Sequence, residues 1–198
     1  MVKLCIFCGS SMGYGSVYKE AAAGVADFFI KNGLGMVYGG ANVGLMKILS
    51  DKLLENGNEV TGVMPRLLVD KEVAHKGLKN LIVVDSMSTR KLKMAELSDG
   101  FIVLPGGFGT FDELSEILVL NQLRICDKPL GILNVAGYFD NLLLFFKHAV
   151  DQGFVRQEHN NNLIVSDNIE DLIRKMQQYR PVSTDKWIKD ILKESEKQ

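Results

Sequence analysis

Short apolar runs alternate along this chain with longer stretches in which apolar residues recur at helical spacing. Six runs of four or five residues are almost wholly apolar, which predicts strands buried on both faces of a sheet. Five intervening stretches repeat apolar residues every three or four positions, which predicts amphipathic helices. The predicted strands are 4–8, 34–38, 60–64, 81–84, 101–104 and 130–133, and the predicted helices are 17–31, 45–55, 87–97, 111–123 and 139–150.

This alternation of strand and helix is typical of a parallel sheet covered on both faces. We therefore predict an α/β fold, a Rossmann-like doubly wound parallel sheet with helices on both faces. Residues 1–180 are expected to form a single domain, because no linker, repeat or low-complexity tract interrupts the pattern. The charged segment 181–198 carries apolar residues on one side, which predicts a peripheral helix packed on the domain or on a partner subunit.

Composition narrows the possible partners and location. The 198 residues carry 23 basic and 24 acidic side chains, a net charge of −1, so we expect neither a nucleic-acid nor a membrane partner. Three cysteines lack the spacing of a disulfide framework, which favours a cytoplasmic location. Cys5 and Cys8 form a CxxC, but the period of a strand would turn them to opposite faces. Three isolated histidines give no ligand spacing, so no metal site is expected.

Three turns are expected to meet at the ligand crevice. In a doubly wound sheet, ligands bind beyond the carboxyl ends of the strands, where the strand order reverses. If the order is 3-2-1-4-5, the turns after the first, fourth and fifth strands line this crevice. They span residues 9–11, 86–91 and 105–110.

The turn after the fifth strand has the chemistry of an anion site. It joins a buried strand directly to a helix and reads Pro105-Gly106-Gly107-Phe108-Gly109-Thr110. Free backbone N–H groups and the helix dipole attract an anion there, and glycine lets it come close. Glu113 follows, in the first turn of the predicted helix. Its carboxylate either complements the dipole or, beside a bound phosphate, points past it at the sugar of a nucleotide.

Two other glycine turns have less specific sequences. Gly9 and Ser10 follow the first strand and offer a flexible turn with a hydroxyl group. Gly39-Gly40 follows the second strand, and its glycines serve either close helix–sheet packing or ligand contact. Neither turn completes a GxGxxG with its ribose-binding acid or a phosphate-binding lysine motif, which disfavours a dinucleotide oxidoreductase or an NTPase.

Two cations lie where they oppose a helix dipole. Arg90 and Lys91 fall in the opening turns of the predicted helix 87–97, where positive charge is unfavourable. They are either a solvated basic pair or cations that close an anion pocket, with Arg90 suited to bidentate phosphate binding. Glu72, in a polar loop, is either a solvated charge or a ligand of a ribose hydroxyl.

These motifs together resemble one family. Residues 105–113 match PGGxGTxxE and Arg90-Lys91 supplies the companion RK, a pairing similar to that of the Lonely Guy family, formerly labelled "possible lysine decarboxylase". Its members are cytokinin riboside 5′-monophosphate phosphoribohydrolases. The resemblance covers about residues 4–180, and further agreement lies in residues 7–11, 37–40, 43–46, 62–65 and 128–138.

The resemblance implies an activity and roles for named residues. It implies hydrolysis of the N-glycosidic bond of adenine or N6-substituted adenine nucleoside 5′-monophosphates, without a cofactor, by a homodimer with sites near the subunit interface. Arg90 and Glu113 would be the catalytic pair. The expected substrate-binding residues are Gly9, Ser10, Gly40, Glu72, Lys91, Gly106, Gly107, Phe108, Gly109 and Thr110.

The chain also departs from the family, and other functions stay open. Ser88-Thr89 replaces a His-Glu pair that often precedes RK, and Val119-Leu120 replaces a Thr-Trp pair, so the pocket for the base differs. A non-catalytic module that binds a nucleotide or molybdenum cofactor would use the same phosphate cradle, but it has little use for Glu113. A decarboxylase would need pyridoxal phosphate on a lysine, and none is placed at the glycine turn.

Overall fold

A single parallel sheet forms the centre of the computed structural model, which describes residues 1–71 and 73–182. Every strand pair in it is parallel. The strands are β1 (Lys3–Phe7), β2 (Gly35–Tyr38), β3 (Val60–Pro65), β4 (Asn80–Val84), β5 (Gly100–Val103), β6 (Leu130–Leu133) and β7 (Ile164–Ser166).

Helices connect these strands and cover both faces of the sheet. They are α1 (Val17–Lys31), α2 (Gly44–Glu55), α3 (Arg66–Val69), α4 (Met87–Glu96), α5 (Phe108–Gln122), α6 (Asp140–Asp151), α7 (Gln157–Asn161) and α8 (Ile169–Gln177), with a 3₁₀ turn at Val135–Gly137. The predicted α/β fold is confirmed, as are the six predicted strands and five predicted helices, within a few residues at their ends. The prediction missed β7 and the helices α3, α7 and α8, and the three residues of β7 are too few to show a period.

The observed strand order differs from the order 3-2-1-4-5 that was assumed in predicting the position of the crevice. The observed order is β4-β3-β2-β1-β5-β6-β7. The fourth strand therefore lies at one edge, three strands away from β1, and β5 takes the place beside β1. The chain reaches β5 through α4, which packs on β3 and shares a core cluster with β1, β2 and β5. The order reverses between β1 and β5, so the turns after these two strands flank the crevice.

Alternate side chains of each strand enter two separate apolar layers. One layer joins α1, α2 and α8 to the sheet through residues such as Leu4, Phe29 and Leu172. The other layer joins α4 and α5 to the opposite face through residues such as Met94 and Leu114. Cys5 lies in the second layer and Cys8 in the first, so the CxxC thiols face opposite sides of the sheet as predicted.

Two sequence predictions fall outside the described residues: the binding role of Glu72 and the peripheral helix in segment 181–198, of which only residues 181 and 182 are described. The single domain over residues 1–180 stays a prediction. Within residues 1–71 and 73–182, no helix combines the length and apolar character needed to cross a membrane.

Candidate active site

The glycine-rich turn after β5 becomes the first turn of α5. Gly107 caps the helix in an extended conformation (φ −99°, ψ −152°), and the helix begins at Phe108. The sequence pattern predicted a start at residue 111, because glycines disfavour a helix interior. As a result Glu113 is the sixth residue of α5 and lies in its second turn, not in the first turn as predicted. The first turn therefore carries no acidic side chain beside its free backbone N–H groups.

The first turn of α5 presents donors to open space. The N–H groups of Phe108, Gly109 and Thr110 precede the first intrahelical hydrogen bonds, so the helix supplies them with no acceptor. A Cβ added at Gly107 or Gly109 would meet none of the described atoms within 4 Å. An anion can therefore approach the helix end, where the dipole favours negative charge.

Glycines hold the neighbouring turns close together. A Cβ on Gly106 would stand 2.1 Å from Oγ1 of Thr110 and 2.9 Å from the backbone nitrogen of Gly9. Gly9 donates its N–H to the carbonyl of Pro105 at 3.0 Å, and Tyr138 donates its hydroxyl to the carbonyl of Gly106 at 2.5 Å. The turns after β1 and β5 are thus joined into one continuous floor for the crevice.

A buried ion pair lies beside this floor. Arg90 and Glu113 are only 9% and 8% exposed, and Nη1 of Arg90 donates to Oε1 of Glu113 at 3.1 Å. Nε of Arg90 also donates to the carbonyl of Val63 at 3.0 Å. A hydrogen bond to β3 and one to α5 therefore fix the guanidinium, although its own helix follows the distant edge strand β4.

Burial sets the protonation of Glu113. Desolvation raises the pKa of its carboxyl group to about 7, even though the positive charge of Arg90 acts in the opposite direction. Glu113 therefore exchanges a proton near neutral pH. Such a pKa is typical of catalytic carboxylates in clefts.

A side chain caps the start of α4. Ser86 caps the helix, since its hydroxyl accepts the N–H of Thr89 at 3.0 Å, and the two hydroxyls are 2.8 Å apart. Serine is among the residues favoured at an N-cap. The cap ends one residue before Arg90, so it fixes the direction in which the arginine leaves the helix.

A cavity of about 210 Å³ joins these groups. It brings together many of the residues predicted from sequence. Its walls are Ile6, Cys8, Ser10, Gly39, Met46, Arg90, Gly107, Phe108, Gly109, Thr110 and Glu113. A second cavity of about 250 Å³ adjoins it through Ser10 and Gly107, and Gly9 and Gly106 lie in the wall of that second cavity.

Lys91 and Gly40 lie outside the walls of both cavities. Lys91 turns to α5, where its Nζ lies 3.0 Å from Asp112 and 2.7 Å from Glu116. Although burial alone would lower the pKa of Lys91, its hydrogen bonds to these two carboxylates raise it. Gly40 (φ +78°) packs toward β3, where a Cβ would stand 3.5 Å from the Cα of Gly62.

Sequence reasoning missed Gly39 as a site residue. A Cβ at this position would stand 2.0 Å from Nη2 of Arg90, so the guanidinium packs directly on Gly39. The Gly39-Gly40 pair signalled a close approach, but the sequence alone did not separate the glycine under Arg90 from the one under β3. The hydrogen bond from Tyr138 to Gly106 had no local sequence signal.

The described residues contain no cluster of three or more His, Cys, Asp or Glu side chains suited to a metal ion. A further cavity of about 220 Å³ is lined by α5, α6 and α7 residues such as Leu118, Val119 and Phe146. It shares no residue with the cavity of Arg90 and Glu113. Most of its exposed wall is apolar, and it contains no ion pair like that of Arg90 and Glu113 among its described lining residues.

Known proteins share both the sequence and the fold of this chain. A profile of the family described as "Possible lysine decarboxylase" matches residues 46–176. The cytokinin riboside 5′-monophosphate phosphoribohydrolase LOG5 of Arabidopsis thaliana is 42% identical over 181 residues, 91% of this chain and 79% of the relative. LOG2 of the same plant, described by the same enzyme name, is 38% identical over 183 residues, 92% of this chain and 86% of the relative.

A solved structure with the same fold is the molybdenum cofactor binding protein of Rippkaea orientalis. Its TM-score is 0.66 at 19% identity, over 89% of this chain and 96% of that one. The molybdenum cofactor carrier protein of Chlamydomonas reinhardtii gives a TM-score of 0.65, also at 19% identity, over 89% of this chain and 96% of that one. At this identity the likeness is one of fold.

Proposed function

The chain belongs to the Lonely Guy (LOG) family of phosphoribohydrolases, and on this premise we propose that it hydrolyses the N-glycosidic bond of purine nucleoside 5′-monophosphates. The substrates are nucleotides of adenine or N6-substituted adenine, and the products are the free base and ribose 5-phosphate. The structural observation that best supports this chemistry is that a buried Arg90–Glu113 pair shares a cavity with the open N-terminus of α5.

The 5′-phosphate is proposed to bind at the first turn of α5. The N–H groups of Phe108, Gly109 and Thr110 are oriented there by the helix, and Gly107 and Gly109 leave space for the oxygens. Ser10 lies across the same cavity and offers a hydroxyl group. Binding energy from this remote phosphate would hold the sugar in place for reaction.

Glu113 is proposed to act on the sugar. Cleavage of the N-glycosidic bond develops positive charge on the ribose, as in other glycoside hydrolyses. A buried, fixed carboxylate stabilises such charge more strongly than one in water. In its ionised form Glu113 also orients or deprotonates the attacking water. Arg90 holds Glu113 in place through the 3.1 Å hydrogen bond and anchors the ligand.

The test is base release from two nucleotides. Purified protein is incubated with AMP and with isopentenyladenosine monophosphate, without added metal, and free base and ribose 5-phosphate are followed by chromatography. We expect release from at least one nucleotide. In Glu113→Gln, nucleotide binding should persist while turnover falls about 10²–10³-fold. Glu96→Gln, the same change on the surface of α4, should leave turnover unaltered. Near-normal turnover in Glu113→Gln would remove Glu113 from the catalytic role.

The same measurements separate a binding module from the hydrolase, and the lining of the cavity argues against a decarboxylase. The shared fold of the molybdenum cofactor proteins makes a non-catalytic binding module the second candidate. Tight binding of both nucleotides without base release would favour that module. A decarboxylase would need a deprotonated lysine for a Schiff base. The described residues lining the cavity include no lysine, and Lys91 is held charged by Asp112 and Glu116.

The assembly and location are also part of the proposal. We propose a cytoplasmic homodimer that has neither a nucleic-acid nor a membrane partner. The near-zero net charge supports the absence of nucleic-acid and membrane partners. The cytoplasmic location is supported by three cysteines that are free thiols, Cys5, Cys8 and Cys126. Exposed apolar side chains on α6 support self-association. Glu72 and Lys91 are retained as proposed substrate-binding residues on the family resemblance, as are Gly9, Gly40 and Gly106.

A further inference from the structure

We infer that His75 is a positioning residue for Arg90, through a hydrogen-bonded clamp that ties the segment after α3 to the turn between β2 and α2. The inference rests on the proposed function only in so far as Arg90 and Glu113 are the reacting pair. His75 itself lines neither cavity of the site. Any effect it has on the chemistry must therefore pass through the turn that Arg90 packs on.

The clamp begins with a short antiparallel contact. Residues 73–75 run alongside residues 40–42, with Ala41 and Ala74 paired in a β-bridge. Asn42 donates its N–H to the carbonyl of Val73 at 3.0 Å, and His75 donates its N–H to the carbonyl of Gly40 at 2.9 Å. The segment thus covers the turn that follows β2.

The imidazole of His75 locks this contact to α2. Its Nδ1 accepts the N–H of Gly77 at 3.0 Å, which assigns the ring proton to Nε2. Nε2 then donates to Oδ1 of Asp51 at 2.7 Å. The ring is buried, being 9% exposed, whereas the side chain of Asp51 is 35% exposed. Two hydrogen bonds to a buried ring specify one local arrangement.

The second oxygen of Asp51 closes the clamp. Oδ2 of Asp51 accepts Nζ of Lys47 at 2.7 Å, and the same Nζ donates to Oδ1 of Asn42 at 3.3 Å. Asn42 lies in the turn covered by the segment of His75. A closed path of hydrogen bonds therefore runs from the turn to His75, to Asp51, to Lys47 and back to the turn.

The turn held by this path packs against the guanidinium of Arg90. Gly40 has a positive φ of 78°, and the preceding Gly39 leaves no room for a Cβ beside Nη2 of Arg90. The turn is thus a wall for the guanidinium, whose other contacts are the carbonyl of Val63 and the carboxylate of Glu113. If the turn moves, the guanidinium gains freedom to leave Glu113.

The clamp therefore has an electrostatic readout at Glu113. Arg90 lowers the pKa of this carboxyl group against the effect of burial, and Lys91 and Asp112 are the other charged groups acting on it. Of these three groups, Arg90 is the one that packs on the turn held by the clamp. The pKa of Glu113 should rise when the clamp is released, a change that a general loss of stability would not produce in the folded protein.

The experiment compares two substitutions at His75. His75→Leu removes both side-chain hydrogen bonds, whereas His75→Gln retains an amide N–H for Asp51. The pKa of Glu113 is measured by NMR on protein labelled with ¹³C at the Glu carboxyl groups, with its signal assigned by loss in Glu113→Gln. We expect His75→Leu to raise this pKa by about half a unit or more and His75→Gln to restore most of the wild-type value.

Asp51→Leu should match His75→Leu, and the double variant should shift the pKa no further, because both changes break one clamp. If His75→Leu does not fold, His75→Asn keeps the acceptor for Gly77 and loses the donor to Asp51, and it should show the same rise. An unmoved pKa in a folded His75 variant overturns the inference. Because the titration needs no turnover, it stays decisive if base release fails in the wild-type protein.

Discussion

At Glu113, burial and the guanidinium of Arg90 act on the same proton in opposite directions. Burial prevails and raises the pKa to about 7, so the carboxyl group is only partly ionised at neutral pH. The proposed chemistry needs the carboxylate, because it stabilises positive charge on the ribose. The kcat/KM for AMP should therefore rise as the pH increases through about 7 and then level off. A pH–rate profile from pH 5 to 9 measures this, and a flat profile in that range would contradict it.

The raised pKa of Glu113 makes the free energy of unfolding fall with increasing pH, whereas kcat/KM is expected to rise. The folded state holds its proton up to about pH 7, while the unfolded chain releases it near the ordinary value of 4.5. The stabilising contribution of Glu113 is thus complete below about pH 4.5 and is lost as the pH rises through about 7. Urea unfolding from pH 5 to 8 should show this component in the wild type. Glu113→Gln should lack it, and equal pH slopes in the two proteins would contradict the prediction.

Gly39 offers a test of how closely Arg90 must be held. In Gly39→Ala the new Cβ would stand 2.0 Å from Nη2, so the buried guanidinium must move away from the turn. We expect turnover to fall about tenfold or more, because a misplaced charge loses its preorganisation. Gly24→Ala is the matched control, since a Cβ there meets no described atom within 4 Å. Equal base release by both variants would show that the position of Arg90 tolerates displacement.

Some residues of the site could be identified from the sequence, and others could not. Arg90 and Glu113 were singled out because each breaks a local rule: a cation near a helix start, and a carboxylate beside an anion cradle. Their predicted role as a catalytic pair came from the family resemblance. Gly39 and His75 were not identified, because their partners lie far along the chain and only the fold brings them together. Lys91 was identified as a cation, but the carboxylates of Asp112 and Glu116 that hold it were not.

At the scale of elements, the first turn of α4 links stability to the site. Ser86→Ala removes the hydroxyl that accepts the N–H of Thr89 and should cost about 1 kcal/mol of unfolding free energy. Without this cap the first turn of α4 should fray. Because that turn lies directly before Arg90, turnover should fall as well. Asn168→Ala is the matched control, since Asn168 caps α8 by accepting the N–H of Asp171 at 3.0 Å. It should show a similar stability loss in urea unfolding with unchanged base release.

The order of the elements was harder to predict than the elements themselves. Buried strands and amphipathic helices are local patterns, and six strands and five helices follow from them. The order depends on how α4 returns across the sheet, because this helix starts at the edge strand β4 and packs against β3. The return explains why Arg90 reaches the crevice although β4 lies three strands from β1. Local periodicity carries no information about that path.

At the scale of the whole molecule, α6 leaves an apolar surface uncovered. None of its side chains is buried, and Leu144 and Phe145 are 63% and 61% exposed. Together with the apolar cavity lined by Val119 and Phe146, this surface is larger than a few isolated hydrophobic residues. A symmetric contact between two copies would remove it from water, which supports the proposed homodimer.

Light scattering on the intact protein tests this assembly. The wild type should have the mass of two chains, or about 44 kDa from a chain mass of 22.0 kDa. Phe145→Asp places a charge in the proposed contact and should shift the mass toward one chain, because an unpaired charge is costly to bury. Tyr14→Asp changes an aromatic residue that is 99% exposed before α1 and should leave the mass unaltered. A wild-type mass of one chain would contradict the homodimer, and a dimeric Phe145→Asp would exclude α6 from the contact.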